Sequence, residues 1–281
     1  MKSLYQMIGI SKQGHYKRVS GQKQLARQHS EVVAGALALR SVHKRMGCRK
    51  IYHELNPVGM GRDKTEALLL SSGLRLNIRR NYHRTTYGGR RRYPNLISGL
   101  ELSGVNQLWV SDITYIPLRD SKPFYLTLIM DVYSRKIKGW SLSATLLASD
   151  TVVVAYKQAL RCLDDRESKV RLIFHSDRGS QYTCRAMEEL HIRYHVSPSM
   201  GGKAWENAHA ESLNGVLKHE YIAFDNLSLS LREARVRLQG IISKYNTSRP
   251  HGSLKNMKPL EYETFIETLK PEEKPKFKIN Y

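Results

Sequence analysis

At Leu108 the hydrophobic pattern changes period, and that change limits the folds open to this 281-residue chain more than any other feature. From there LWVSDITYI alternates and is rich in β-branched and aromatic residues, which predicts a strand. PFYLTLIMDV predicts a second strand, followed by a YSRK turn and a third, KIKGWSLS. Ser149 and Asp150 are the expected caps of a helix, TVVVAYKQALRCL. VRLIFH reads as a fourth strand ending in SDRGSQYT, AMEELHI as a helix, and RYHVSP as a short fifth strand. After the loop SMGGKAW a long helix is expected over residues 206–221, then a last helix over 230–245 and a charged tail. Three strands followed by alternating helices and strands predict an α/β core built on a mixed sheet.

The chain before Leu108 has another character. Residues 1–100 carry 20 Lys or Arg against 4 Asp or Glu, whereas the rest carries 26 against 21, within an overall charge of +21. A basic first third joined to a nearly balanced remainder points to a polyanion-binding module attached to something else, with nucleic acid as the partner. Its pattern predicts two short helices within residues 4–17, a helix over 31–45, one over 48–55, a Pro/Gly turn (NPVGMG), and a third segment, KTEALLLSSGL. Asp63 is expected to cap that segment with Glu66 in a capping box. Helix, helix, turn, helix, with Arg62 and Lys64 at the last helix's start, outlines a helix-turn-helix reader of duplex DNA. Residues 74–106 interleave Arg79, Arg80, Arg84, Arg90, Arg91 and Arg92 with Tyr82, Tyr87 and Tyr93 around Gly88-Gly89. This reads as a basic linker that follows a phosphate backbone, its tyrosines able to stack on bases. The expected division is 1–73 helical, 74–106 linker, 107–225 core and 226–281 C-terminal helix and tail.

Composition removes several classes. A hydrophobic fraction of 41% supports a real core. No run approaches the roughly 18 apolar residues of a membrane span, and the opening MKSLYQMIGISKQGHYK is not a signal peptide. Cys48, Cys162 and Cys184, odd in number and widely spaced, fit a reducing compartment, so a cytoplasmic protein without disulfides is expected. His43, Cys48 and His53 match no zinc spacing and read as core residues of a helical module.

Because acidic residues are scarce, those in apolar surroundings stand out. Asp112 lies mid-strand among Trp109, Val110, Ile113 and Tyr115; Asp177 follows the fourth strand; Glu211 sits on a helix in ENAHAESLNG. An ionised carboxylate among apolar neighbours is costly unless paired or bound to metal. Three converging carboxylates would call for a divalent cation, and an oxygen-only donor set favours Mg²⁺ or Mn²⁺ over Zn²⁺. Spacing alone leaves open whether the three meet or each has a private partner. Asp131 is the rival fourth carboxylate and reads as a turn-former before YSRK.

The segments WVSDITYI, DVYSRKIKGW, FHSDRGSQYT and ENAHAESLNGVLKHE, in this order, resemble the catalytic core of bacterial insertion-sequence transposases, the Asp-Asp-Glu enzymes related to retroviral integrases. YNTSRPHGSL resembles their C-terminal motif, and MGCRKIYHELN with KTEALLLSSGLR resembles the helix-turn-helix module that precedes the core in the second-frame product of two-frame elements. The resemblance implies a ribonuclease-H-like, mixed five-stranded sheet with flanking helices, preceded by a small all-α domain. It makes Asp112, Asp177 and Glu211 a metal-binding catalytic triad holding two Mg²⁺ (or Mn²⁺) ions. The interval between Asp177 and Glu211, 33 residues, is slightly shorter than the family's usual one. Glu206 is the alternative third carboxylate, although AESLNGVLK follows Glu211 as the family pattern requires. Lys218, two helical turns after Glu211 on the same face, matches a lysine with which related integrases grip DNA.

Further expected DNA contacts are Arg178, Gln181 and Tyr182 in the loop after the second Asp, Lys203 beside Gly201-Gly202, and Asn207, which shares a face with Glu211 and could orient it. Arg249 and His251 are candidates either for DNA contact or for capping the preceding helix. The implied activity is cleavage and strand transfer at the element's ends. The expected partners are double-stranded DNA of the terminal repeats and target, further copies of the chain on that DNA, and the upstream-frame helix-turn-helix product, with no membrane. Two rivals remain at this level: a non-enzymatic end-binding regulator, and a nuclease of the same fold that cuts RNA–DNA hybrids.

Overall fold

The structure is a computed structural model describing residues 9–76, 92–119, 121–163, 171–222 and 229–280. The chain forms two compact units, Met1–Asn77 and Ile78–Tyr281.

The first unit contains α1 (Lys12–Val42), α2 (Cys48–Leu55) and α3 (Arg62–Ser71). One 31-residue helix replaces the separate short helices expected at its start and the one expected from residue 31. Ser11 caps it through a hydrogen bond from the Gly14 N–H, and the interior glycines are tolerated at a cost of about 1 kcal/mol each relative to alanine. Gly35 repays that cost locally, because a Cβ there would lie 2.8 Å from Leu55 Cδ2 of α2. Val32, Ala36, Met46, Cys48, Ile51 and Leu69 form the core of this unit. Asn56 ends α2 in the left-handed region, φ 40°, a conformation Asn tolerates. The expected capping box at Asp63 does not form. Gly61 is the N-cap, so Asp63 falls inside the first turn and binds Arg62 instead.

The second unit is a ribonuclease-H-like α/β fold. Strands β2 (Leu108–Leu118), β3 (Ser121–Asp131), β4 (Ile137–Ser143), β5 (Ile173–Ser176) and β6 (Ser197–Met200) form one sheet in the order β4-β3-β2-β5-β6. The β2–β3 and β3–β4 pairs are antiparallel; β2–β5 and β5–β6 are parallel. Alternation sends Trp109 and Ile129 to one face, under α4 (Val152–Leu160) and α5 (Arg185–Arg193). Leu108, Val110, Leu128 and Met130 go to the other, under α6 (Ala208–Glu220), α7 (Leu231–Ser248) and α8 (Pro259–Glu267). The cap of α4 is Thr151 rather than Ser149 or Asp150, since Asp150 is engaged by Thr145 and Ser149. The fifth strand starts at Ser197, later than expected, because His195 adopts φ 53° and breaks the extended run. A 3₁₀ turn (Ala204–Asn207) replaces the first turn of the long helix.

Beyond α7 the chain is folded rather than a solvated tail. Glu263 of α8 is buried and accepts from Ser134 Oγ and from the ammonium groups of Lys136 and Lys138 around the β3–β4 turn. Asp131 in that turn accepts from the N–H groups of Ser134 and Asn106, the turn-forming role its sequence predicts. The last strand, β7 (Phe277–Lys278), pairs with β1 (Glu101–Leu102), and Ile97, Leu102 and Ile279 are buried in the core. The C-terminal part of the stretch expected as linker thus packs with the sheet.

Helix α4 lies directly on β4 at Gly139, where a Cβ would meet the Ala155 carbonyl oxygen and sit 2.9 Å from Ala159 Cβ. Both obstacles belong to the helix itself, so neither can swing away. Gly139→Ala is expected to destabilise the protein by roughly 1–3 kcal/mol, read as a lower denaturant midpoint at unchanged slope. An unchanged midpoint would mean the helix–strand approach is looser than described.

Candidate active site

The sheet register brings the first two carboxylates level. Parallel pairing sets Leu108, Trp109 and Val110 opposite Ile173, Phe174 and His175, and continuing it by two residues sets Asp112 beside Asp177 at the strand's end. Asp112 has the parity of Leu108 and Val110, so its side chain faces the layer of α6, the helix that carries Glu211 in its first turn.

The electrostatics follow from that placement. Burial first, then the charges of Asp177 and Glu211, push the Asp112 carboxyl from 3.8 up to about 7. Asp177 is raised by burial, against the pull of a 3.0 Å hydrogen bond from the Gly179 N–H. Glu211 is raised by partial burial and by Asp177. Asp177 and Glu211 both oppose the ionisation of Asp112, and Asp177 opposes that of Glu211, which concentrates negative potential here. Among the described residues no three His, Cys, Asp or Glu side chains close up into a metal-ligating group. The donor set nevertheless fits a hard divalent cation: all ligating atoms are oxygens, and the strained ionisation of Asp112 is what a positive ion relieves.

Side chains that sequence reasoning missed surround Asp112. Asn214, three residues after Glu211 on the same helix face, donates its amide to Asp112 Oδ2 at 2.7 Å. Asn207 lies on that face too, but it does not hold Glu211. It is buried and donates to the Ser111 carbonyl at 3.0 Å. On the opposite face of β2, Ser111 Oγ and Tyr182 Oη lie 3.0 Å apart. Tyr182 is 2% exposed, its phenol pushed well above its ordinary range by burial and by Asp177 and Asp112, so it packs beneath the strand that carries Asp112. Only the helical spacing from Glu211 could have singled out Asn214; nothing in the sequence separates Tyr182 from an exposed loop tyrosine.

The other expected contacts divide. Lys218 is half-buried within electrostatic reach of Asp112, which offsets part of the burial that lowers its pKa. Arg178 Nε donates to the Gly201 carbonyl, and Gly202 N–H to Glu206, joining the loop after Asp177 to the turn before α6. Glu206 thereby serves the loop, and the charges acting on Asp112 come from Asp177 and Glu211. Gln181 donates to the Leu146 carbonyl at 3.4 Å. Lys203 Nζ lies 4.6 Å from the centroid of exposed Trp205. Arg92 folds onto the core, bound to the Thr183 carbonyl and Glu188. Arg249 is 3% exposed in a two-pronged pair with Glu220, which ties α6 to the end of α7. His251 Nδ1 lies 3.0 Å from Ser253 Oγ. Arg62 and Lys64 are exposed at the start of α3, whereas Arg79, Arg80, Arg90 and Arg91 lie outside the described residues.

Comparison with known proteins bears on the same elements. Residues 103–204 and 193–259 match two models described as integrase core domain. The transposase InsF for insertion sequence IS3A of Escherichia coli is 30% identical over 281 residues, covering 94% of this chain and 93% of that one. The transposase of IS904 from Lactococcus lactis is 31% identical over 175 residues, 61% of this chain and 67% of its own. A 31 kDa protein of IS600 from Shigella sonnei is 28% identical over 269 residues, 92% and 96% of the two chains. Among solved structures, the HTLV-2 integrase catalytic core domain in complex with magnesium aligns with TM-score 0.43 at 18% identity, over 60% of this chain and 99% of that one.

The raised Asp112 carboxyl has a measurable consequence. Between pH 4 and 7 the folded, metal-free protein keeps a proton on Asp112 that the unfolded chain has released, so stability is lost as pH rises through about 7. Asp112→Asn removes this loss. In EDTA its stability relative to wild type is expected to be greater at pH 8 than at pH 5, by thermal unfolding. An equal difference at both pH values would contradict the raised carboxyl.

Proposed function

Because the chain belongs to the insertion-sequence transposases with an integrase core domain, we propose that it binds the ends of its own element and cuts and joins DNA there by divalent-metal-dependent phosphoryl transfer. The observation that carries this reading is the burden on Asp112 at the meeting of the central strands, where its ionisation is opposed by burial and by the charges of Asp177 and Glu211. On this reading the three carboxylates hold two Mg²⁺ or Mn²⁺ ions. When bound, such ions supply an activated attacking oxygen, from water or a 3′-hydroxyl, and a counter-charge for the departing oxygen.

The chain's own groups do the rest. Ser111, Tyr182 and Asn214 fix where Asp112 sits, and the Arg178–Gly201 and Gly202–Glu206 contacts hold the two loops that flank the carboxylates. Lys218 and Lys203 supply positive charge for the phosphates on either side of the reacting one. No side chain need serve as nucleophile, since the attacking oxygen comes from water or DNA. The region 1–73 reads the terminal repeat through the start of α3, and Arg79, Arg80, Arg90 and Arg91 add positive charge for the DNA backbone. Joining two ends calls for at least two copies, acting in the bacterial cytoplasm on nucleoid DNA, with the upstream-frame product as a further partner.

Asp112→Asn, Asp177→Asn and Glu211→Gln are each expected to lower Mg²⁺-dependent cleavage and joining of a labelled element-end duplex by on the order of a thousandfold or more, with duplex binding kept. Full cleavage by any of the three would overturn the proposal. Tight binding by wild type without cleavage would instead favour the end-binding subunit, and fusing the upstream-frame product would then restore activity. Removing Arg62 and Lys64 together should flatten the salt dependence of binding by about two ions' worth in the log–log slope. An unchanged slope would place the DNA elsewhere on the first unit.

A further inference from the structure

Helix α6 and the residue that caps its start meet the central strand through two side-chain amides, one on either side of Glu211. Asn207 donates to the Ser111 carbonyl at 3.0 Å, and Asn214 donates to Asp112 Oδ2 at 2.7 Å. The spacing Asn207, Glu211, Asn214 puts all three on one helix face, and the two acceptors are consecutive residues of β2. Both asparagines are more than nine-tenths buried, and their acceptors, a main-chain carbonyl and a carboxylate, fix which end of each amide is the nitrogen. Each amide oxygen is therefore left pointing elsewhere, and both Oδ1 atoms are buried with no hydrogen-bond partner among the described residues.

An unsatisfied buried carbonyl costs about 1–3 kcal/mol, so two such oxygens flanking Glu211 call for a hydrogen-bond donor there. We propose that Asn207 and Asn214 are positioning residues: their nitrogens set the separation of Asp112 and Glu211 before a cation arrives. Their oxygens accept hydrogen bonds from the water shell of that cation. The inference rests on reading Asp112 and Glu211 as cation ligands. It goes further by making the cation's hydration shell, and not only its carboxylate ligands, part of what this helix recognises.

Mn²⁺ binding to the full chain on an element-end duplex tests it, with free Mn²⁺ followed by its paramagnetic resonance. Asn214→Leu and Asn207→Leu keep side-chain volume and delete both amide functions. Each is expected to weaken Mn²⁺ binding by about 10–100-fold, with duplex affinity and melting in EDTA held and cleavage recovered at high Mn²⁺. A purely structural role would lower the melting temperature and leave Mn²⁺ affinity alone. Should a leucine variant fail to fold, the corresponding serine variant is read in the same way. Mn²⁺ affinity within twofold of wild type in both variants, while Asp112→Asn abolishes binding, overturns the positioning role and leaves the ligand reading intact. Retained affinity in Asp112→Asn overturns both.

Discussion

Everything at this site depends on a carboxylate held inside a sheet. Asp112 occupies a position on β2 where neighbours of the same parity are Leu108 and Val110, and its ionisation is opposed by burial before any other charge is counted. Folding accepts that cost because β2 is the strand at which pairing changes from antiparallel to parallel. On one side β3 fixes its register residue by residue; on the other β5 stops at Ser176, so the chain turns away with Asp177 within electrostatic reach of Asp112. A mixed sheet can place two acids from distant segments side by side in this way. An all-antiparallel meander would have filled the neighbouring position with another hairpin strand.

Much of this was legible in the sequence. The alternating runs from Leu108 to Ser143 gave three strands within a residue or two, and Asp112, Asp177 and Glu211 stood out because acids are rare among apolar neighbours. The less legible parts were those decided by long-range partners. Arg249 looks like any arginine in a polar loop until Glu220 is placed beside it, and Tyr182 like any loop tyrosine until Ser111 is beneath it. The strand at Ser197 starts late because His195 adopts a left-handed conformation that no hydrophobic pattern signals. Helix α1 continues through glycines whose local preference argues against it, since Val32 and Ala36 are anchored against α2 and α3.

The C-terminal segment illustrates the same limit. Its composition, rich in Lys and Glu, reads only as a charged tail, yet Glu263 is buried between two lysines and a serine, and Ile279 sits in the main core. Charges that neutralise one another inside the protein look the same in a sequence as charges that face water. Only the partners, Ser134, Lys136 and Lys138, more than a hundred residues earlier, distinguish the two.

The pairing of β7 with β1, and of Arg249 with Glu220, also sets the order in which the protein is completed during synthesis. Helix α6 shares its face of the sheet with α7, α8 and Ile279, so its packing is finished only when these later segments are available. At about 5–20 residues per second, the 68 residues from Glu211 to Ile279 take roughly 3–14 seconds to add. During that interval the nascent chain already has its basic first unit but lacks the layer that seats Glu211 against Asp112. A ribosome that stops early therefore releases a basic first unit joined to a sheet that lacks part of its covering layer.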